Sequence, residues 1–195
     1  MNKPEVILMF GAPGAGKGTI SPLICQVANN YHLSTGDIFR GLPAESENGK
    51  LFFSYAREGK LVPDEVTMQI WWTYTQGLIN TNKYNPSEQL MVLDGLPRTV
   101  EQAKLLEQYV TVKRVIALDI QDENVIIERL GKRAKIEKRA DDADIAIVKK
   151  RLQEYHNKTA PVLDFYPKEL VSIINAEQKP SEVLRDVLKE NSDIL

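Results

Sequence analysis

Cysteine is nearly absent from this 195-residue chain, which holds Cys25 and no other. One thiol excludes an internal disulfide and a cysteine-cluster zinc site, and it suits a reducing compartment. Its expected role is a small buried side chain on the first helix. No apolar run approaches the ~18 residues of a membrane-spanning helix. The opening MNKPEVILMF passes straight into a strand pattern, so no signal peptide and no membrane partner are expected and a cytoplasmic location is. Charge of one sign is not in excess either. Lys and Arg number 25 against 27 Asp and Glu, a net charge of −2, which gives no general pull toward nucleic acid and leaves any basic site to be local. Repeats and low-complexity tracts are missing too. With 43% hydrophobic and 27% charged residues, the expectation is one domain around one good core, with small inserts.

What is present begins with VILMFGAPGAGKGT, residues 6–19. Five apolar residues in a row read as a strand buried on both faces, and a helix follows from Gly16. Between them, Gly11, four residues, Gly16 and Lys17 have phosphate-loop spacing, with Gly18 in the usual hydroxyl position and Thr19 next. Glycines let the backbone turn with positive φ and bring its N–H groups onto phosphate oxygens. The helix N-terminus adds unpaired donors, Lys17 adds a point charge for the β- and γ-phosphates, and the Thr19 hydroxyl is placed for Mg²⁺.

Further along, short apolar strand patterns at 31–33, 89–94, 112–120 and 170–176 alternate with helical patterns. The helices are expected at 16–29, 51–57, 64–79, 99–109, 123–133, 145–165 and 180–190. Five strands alternating with helices imply an α/β fold, a five-stranded parallel sheet covered on both faces. Pro22 sits oddly inside the first helix. Trp71 and Trp72 read as packing residues that could reach a surface patch. The polar stretches 34–63 and 132–144 read as inserts and candidate lids, leaving a core of 1–33, 64–131 and 145–195. Arg40, Arg98, Arg129, Arg133, Arg139 and Arg151 each adjoin a turn, a strand end or a lid. Arg129 and Arg133 share a helix face at a spacing of four.

GAPGAGKGT, LSTGDIFR, GKLVPDE, LDGLPRTVEQ and KKRLQEYHNKTAPVLDFY, in this order, make the chain resemble the adenylate kinases over nearly its whole length. The resemblance implies a three-layer P-loop NTPase fold with an NMP-binding insert and a short lid. It also implies reversible transfer of the terminal phosphoryl group of Mg-ATP to AMP. Carried over, Gly14, Ala15, Gly16, Lys17, Gly18 and Thr19 would hold ATP, with Arg129, Arg133 and Gln178. Thr35, Gly36, Arg40, Lys60, Leu61, Val62, Gly95, Leu96, Pro97, Arg98 and Gln102 would hold AMP, Gln102 reading the adenine edge. Arg139 and Arg151 would clamp phosphates between the two nucleotides, so that Lys17, Arg98, Arg133, Arg139 and Arg151 carry the transfer. Asp94 and Thr19 would hold Mg²⁺ through water. No structural zinc is implied, the partners implied are the small nucleotides ATP, AMP and ADP, and a monomer is expected.

Three departures from the family pattern stand out. Leu96 replaces an aromatic residue, the lid RAKIEKRADDAD lacks cysteines, and the Arg139 to Arg151 interval is one residue longer. Two rival readings are a kinase for CMP or UMP and a nucleotide-binding regulator without turnover. Thr99 and Gln102 after the PR pair weigh against the first, and the full set of cationic residues against the second.

Overall fold

The computed structural model describes residues 3–137 and 140–195. Five parallel strands, β1 (Glu5–Gly11), β2 (Tyr31–Ser34), β3 (Met91–Asp94), β4 (Thr111–Asp119) and β5 (Val171–Asn175), lie in the order β2-β3-β1-β4-β5. The strand leading into the glycine loop is therefore central, and from Val6 to Phe10 no residue is more than 2% exposed. Alternation divides it between two layers. Val6, Leu8 and Phe10 pack with Trp71, Ala103, Leu106 and Val162 on one face, while Ile7 and Met9 pack with Ile20, Ile24, Val183 and Val187 on the other. These contacts place α4 (Asp64–Asn80) and α5 (Val100–Leu106) on the first face and α1 (Lys17–Ala28) and α9 (Pro180–Glu190) on the second.

A third, smaller cluster of Ala12, Ile126, Leu130, Val148 and Leu152 seats α6 (Glu123–Glu137) and α8 (Ile145–Glu154) against the glycine loop. Each long side chain buried in these layers contributes roughly 1.5–3 kcal/mol. The ends of the loop are thus fixed by core packing on three sides.

The helix foreseen over 145–165 ends at Glu154 and gives way to a π-helical turn, Tyr155–Thr159, and a 3-10 stretch, Ala160–Phe165. Pro161 is the cause: it has no N–H to donate, and its ring excludes a helical carbonyl four residues back. The Ala160 N–H accordingly reaches the carbonyl of Tyr155, one residue further than an α-helix allows. Pro22, in contrast, is tolerated well inside α1. The carbonyl it leaves without a donor belongs to exposed Gly18.

The stretch read as a polar insert over 132–144 is largely helical among its described residues. There α6 continues to Glu137 and α7 (Ala140–Ala143) follows. The 51–57 helix begins earlier, as α3 (Glu47–Arg57), because the Ser46 hydroxyl accepts the Gly49 N–H and caps it. Trp71 is fully buried against Tyr109 and forms no surface patch.

Candidate functional site

The site lies at the carboxyl ends of β1, β2 and β3, where parallel sheets open their ligand crevice. Gly16 sits at φ +103 at the start of α1, and an added Cβ there would meet no atom within 4 Å. The need for glycine at 16 is therefore the left-handed backbone and not space. The α1 N-terminus has no side-chain cap; the Thr19 N–H turns back to the Gly16 carbonyl at 2.9 Å, while the N–H groups of Lys17 and Gly18 have no acceptor within the helix and offer an anion site. Lys17 folds back across the loop, its Nζ donating to the carbonyls of Gly11 at 2.7 Å and Ala12 at 3.2 Å. Burial pulls its pKa from 10.5 down to about 8. Asp94 opposes that shift, and Arg98, Arg133 and Arg151 add to it.

The second wall is built from β2, β3 and the turn after β3. Strand register sets Asp94 beside both Met9 and Ser34. The Ser34 hydroxyl accepts the Asp37 N–H and so starts α2 (Thr35–Arg40), while the Thr35 hydroxyl donates to the Asp94 carbonyl at 3.1 Å. Gly95, at φ +85, lets the chain pass under Arg98. A Cβ there would lie 2.6 Å from Thr35 Oγ1 and 2.9 Å from the Arg98 guanidinium. Arg98 Nε donates to the Gly95 carbonyl at 2.7 Å, and the Arg98 carbonyl accepts the Thr159 hydroxyl at 3.0 Å. Burial, with Arg151 second, pushes the Arg98 pKa down, so an anion is favoured here.

The third wall is cationic and self-paired. Arg133 donates through Nε and a terminal nitrogen to the two oxygens of Asp142, at 2.6 and 2.9 Å, in the bidentate geometry that arginine favours. Arg151 donates to Asp142 at 2.6 Å and to Asp141 at 2.9 Å. Asp142 is 3% exposed. Burial works against its charge, yet the hydrogen bonds and charge of Arg133, with Arg151 behind them, hold its carboxyl below the ordinary aspartate range. Arg129 donates to the Gln178 carbonyl at 3.3 Å, and Gln178 is itself held by Asp186 at 2.6 Å.

These walls enclose one cleft of about 900 Å³. Gly14, Ala15, Gly16, Lys17, Gly18 and Thr19 line it, with Arg129, Arg133 and Gln178. Thr35, Gly36, Arg40, Lys60, Leu61 and Val62 line the same cleft, with Gly95, Pro97, Arg98 and Gln102, and both Asp94 and Arg151 border it. Arg40 is paired with Asp37 and Lys60 with Glu58. Leu96 is set apart, its side chain 1% exposed within the main core. Arg139 lies outside the described residues.

Asp141 and Asp142 went unforeseen as arginine partners. Their acidity was visible, but separations of nine residues from Asp142 to Arg133 and Arg151, and of ten from Asp141 to Arg151, follow no single-helix spacing. Thr159 was missed as well, and nothing local marks it.

Comparison with known proteins agrees over most of the chain. A family model described as adenylate kinase matches residues 9–171. The chain is similar to the adenylate kinase of Flavobacterium johnsoniae, 41% identical over 166 residues that cover 82% of this chain and 83% of the relative. It is 38% identical over 165 residues to that of Parabacteroides distasonis, with 82% and 83% covered. Against that of a Synechococcus strain the match extends over 190 residues at 35% identity, 94% of this chain and 93% of the relative.

Proposed function

The chain belongs to the adenylate kinase family, whose activity is phosphoryl transfer between ATP and AMP, and we propose that its residues divide that transfer between two ends of the cleft. The observation that carries this reading is the convergence of Lys17, Arg98, Arg133 and Arg151 on a single cavity flanked by the glycine loop.

At one end Gly14 to Thr19 cradle the ATP phosphates, with Lys17 on the β- and γ-groups and Arg129 and Gln178 beside the donor nucleoside. At the other, Thr35, Gly36, Arg40 and the backbone of Lys60, Leu61 and Val62 receive AMP. Gly95 to Arg98 take its phosphate, and Gln102 reads its base. Arg133 closes from the lid at 132–144, and the clamp on the phosphates between the two nucleotides falls to Arg139 and Arg151. An AMP phosphate oxygen then attacks the γ-phosphorus in line, the bond to the β,γ-bridging oxygen breaks, and two ADP result. Charge spreads over the transferred oxygens, so alignment and cationic stabilisation supply the catalysis and no general base is needed. Closure of the 34–63 and 132–144 inserts keeps water from the γ-phosphoryl group.

Among the described residues no group of three or more His, Cys, Asp or Glu could hold a metal ion by itself. The one carboxylate and one hydroxyl of Asp94 and Thr19 instead fit a Mg²⁺ that arrives on the nucleotide and keeps most of its waters. When bound, that ion neutralises phosphate charge. No helix of the described residues is long and apolar enough to cross a membrane; the proposed setting is that of a cytoplasmic monomer acting on small nucleotides.

The test is a coupled assay of the purified protein with Mg-ATP against AMP, CMP, UMP and GMP, with Lys17→Ala as control. ADP formation confined to AMP and lost in the control is expected. Turnover of CMP or UMP in place of AMP would overturn the reading of the base site.

A further inference from the structure

Gln102 borders the cleft yet is 1% exposed, and both halves of its amide are already engaged inside the protein. Its Oε1 accepts the Arg98 backbone N–H at 2.7 Å, and its Nε2 donates to Asp64 Oδ1 at 2.8 Å. A backbone N–H can only donate and an ionised carboxylate can only accept, so these partners permit one orientation of the amide and forbid its flip. Asp64 opens α4, 38 residues before Gln102, where the positive end of the helix dipole favours its charge.

We infer that Asp64 is a specificity-positioning residue: by fixing the Gln102 amide it sets the order in which one N–H donor and one carbonyl lone pair face the acceptor base. The inference rests on the proposed role of Gln102 at the AMP end. Adenine offers a ring-nitrogen acceptor beside an amino donor, and cytosine offers the same order. Guanine and uracil offer the reverse, a ring N–H donor beside a carbonyl acceptor. With the nucleotide anchored through its phosphate, the base cannot turn over to match, so a fixed amide admits adenine and cytosine and leaves buried groups unpaired against guanine and uracil. A glutamine free to flip would serve both orders. Such unpaired groups are the strongest source of discrimination an enzyme site has.

The experiment measures kcat/KM for AMP, CMP, GMP and UMP, by competition where turnover is slow, in the wild type and in Asp64→Leu, Asp64→Asn, Gln102→Ala and the Asp64→Leu/Gln102→Ala double variant. KM for ATP and the melting temperature are followed alongside. Asp64→Leu is expected to cut the AMP preference over GMP and UMP by about tenfold or more. The preference over CMP changes less and KM for ATP stays in place. Asp64→Asn keeps an acceptor oxygen at the same point and restores the preference, and Asp64→Leu adds nothing once Gln102 is alanine. Unchanged ratios in Asp64→Leu beside altered ratios in Gln102→Ala would overturn the inference and leave the AMP-end reading standing. Unchanged ratios in both would sink the reading on which it rests. If Asp64→Leu does not fold, Asp64→Ser is judged by the same ratios.

Discussion

Raising the pH should strengthen the unliganded fold through Lys17 while weakening its hold on ATP. The ammonium is half-buried, bonded to two neutral carbonyls, and set against three arginines with one carboxylate in opposition, which brings its pKa from 10.5 to about 8. That interval corresponds to about 3 kcal/mol. Below about pH 8 the folded and unfolded chains both carry the proton, and the cost of the buried charge is fully present. Between about 8 and 10.5 only the unfolded chain binds it, so stability climbs with pH through this window and levels off above it. Other lysines titrate nearby, and the comparison must therefore be with Lys17→Met, which lacks the group. In urea unfolding, the wild type should gain about 2–3 kcal/mol relative to Lys17→Met between pH 7.5 and 10.

The binding arm has the opposite sign. Phosphate needs the charged amine, so ATP affinity measured by calorimetry should fall by about tenfold for each pH unit above 8 in the wild type and should stay flat in Lys17→Met. Parallel stability profiles for the two proteins, or a wild-type ATP affinity unchanged to pH 10, would refute the account of Lys17 as a charge held at a cost for its ligand.

Three other perturbations test the remaining walls. Gly95→Ala puts a Cβ within 2.9 Å of the Arg98 guanidinium at a positive φ, so KM for AMP should rise at least about tenfold while KM for ATP holds. An unchanged KM for AMP would separate Gly95 from the acceptor site. Arg98→Ala should lower kcat by about a hundredfold or more with the melting temperature retained, and near-normal turnover would remove Arg98 from the phosphate. Asp142→Ala strands the partly buried Arg133 and leaves Arg151 with Asp141 alone, and it should cost about 2 kcal/mol, a fall of roughly 4–8 °C for a chain of this size. Inorganic triphosphate should recover more of that loss in the variant than it adds to the wild type. Equal shifts in both would show that Asp142 does not hold the arginines.

Much of this was readable from local chemistry. The glycine loop announces itself because strand, turn and helix follow within fourteen residues, and each position answers to one requirement of backbone or charge. Arg98 was legible for a similar reason, since the turn that carries it also contains Gly95, whose carbonyl orients it, and leads straight into α5, where Gln102 accepts its backbone N–H. The early end of α8 was written in Pro161 and was outweighed by the apolar periodicity around it. The pairings of Asp142 with Arg133 and Arg151, and of Asp64 with Gln102, were not legible. Each joins two elements whose approach is decided by core packing, α6 and α8 through Ile126, Leu130, Val148 and Leu152 in the first case. Leu96 shows the converse, a residue inside a site motif whose side chain belongs to the core.

The partners of the four cations differ in a way that bears on the order of events. Lys17 and Arg98 lean on backbone carbonyls, neutral acceptors that an anionic phosphate oxygen outcompetes because it adds the attraction of opposite charges to the hydrogen bond. Arg133 and Arg151 lean on carboxylates, which a phosphate displaces with little advantage. Displacement is not needed, however. Arginine has five N–H donors; Arg133 commits Nε and one terminal nitrogen to Asp142, and Arg151 commits one terminal nitrogen to the aspartate pair. Each therefore keeps donors for phosphate while the carboxylates fix the plane of its guanidinium. Asp142 in this arrangement offsets the repulsion between two arginines and pre-orients them, so the negative charge of the nucleotide is added to an ordered array instead of having to assemble one.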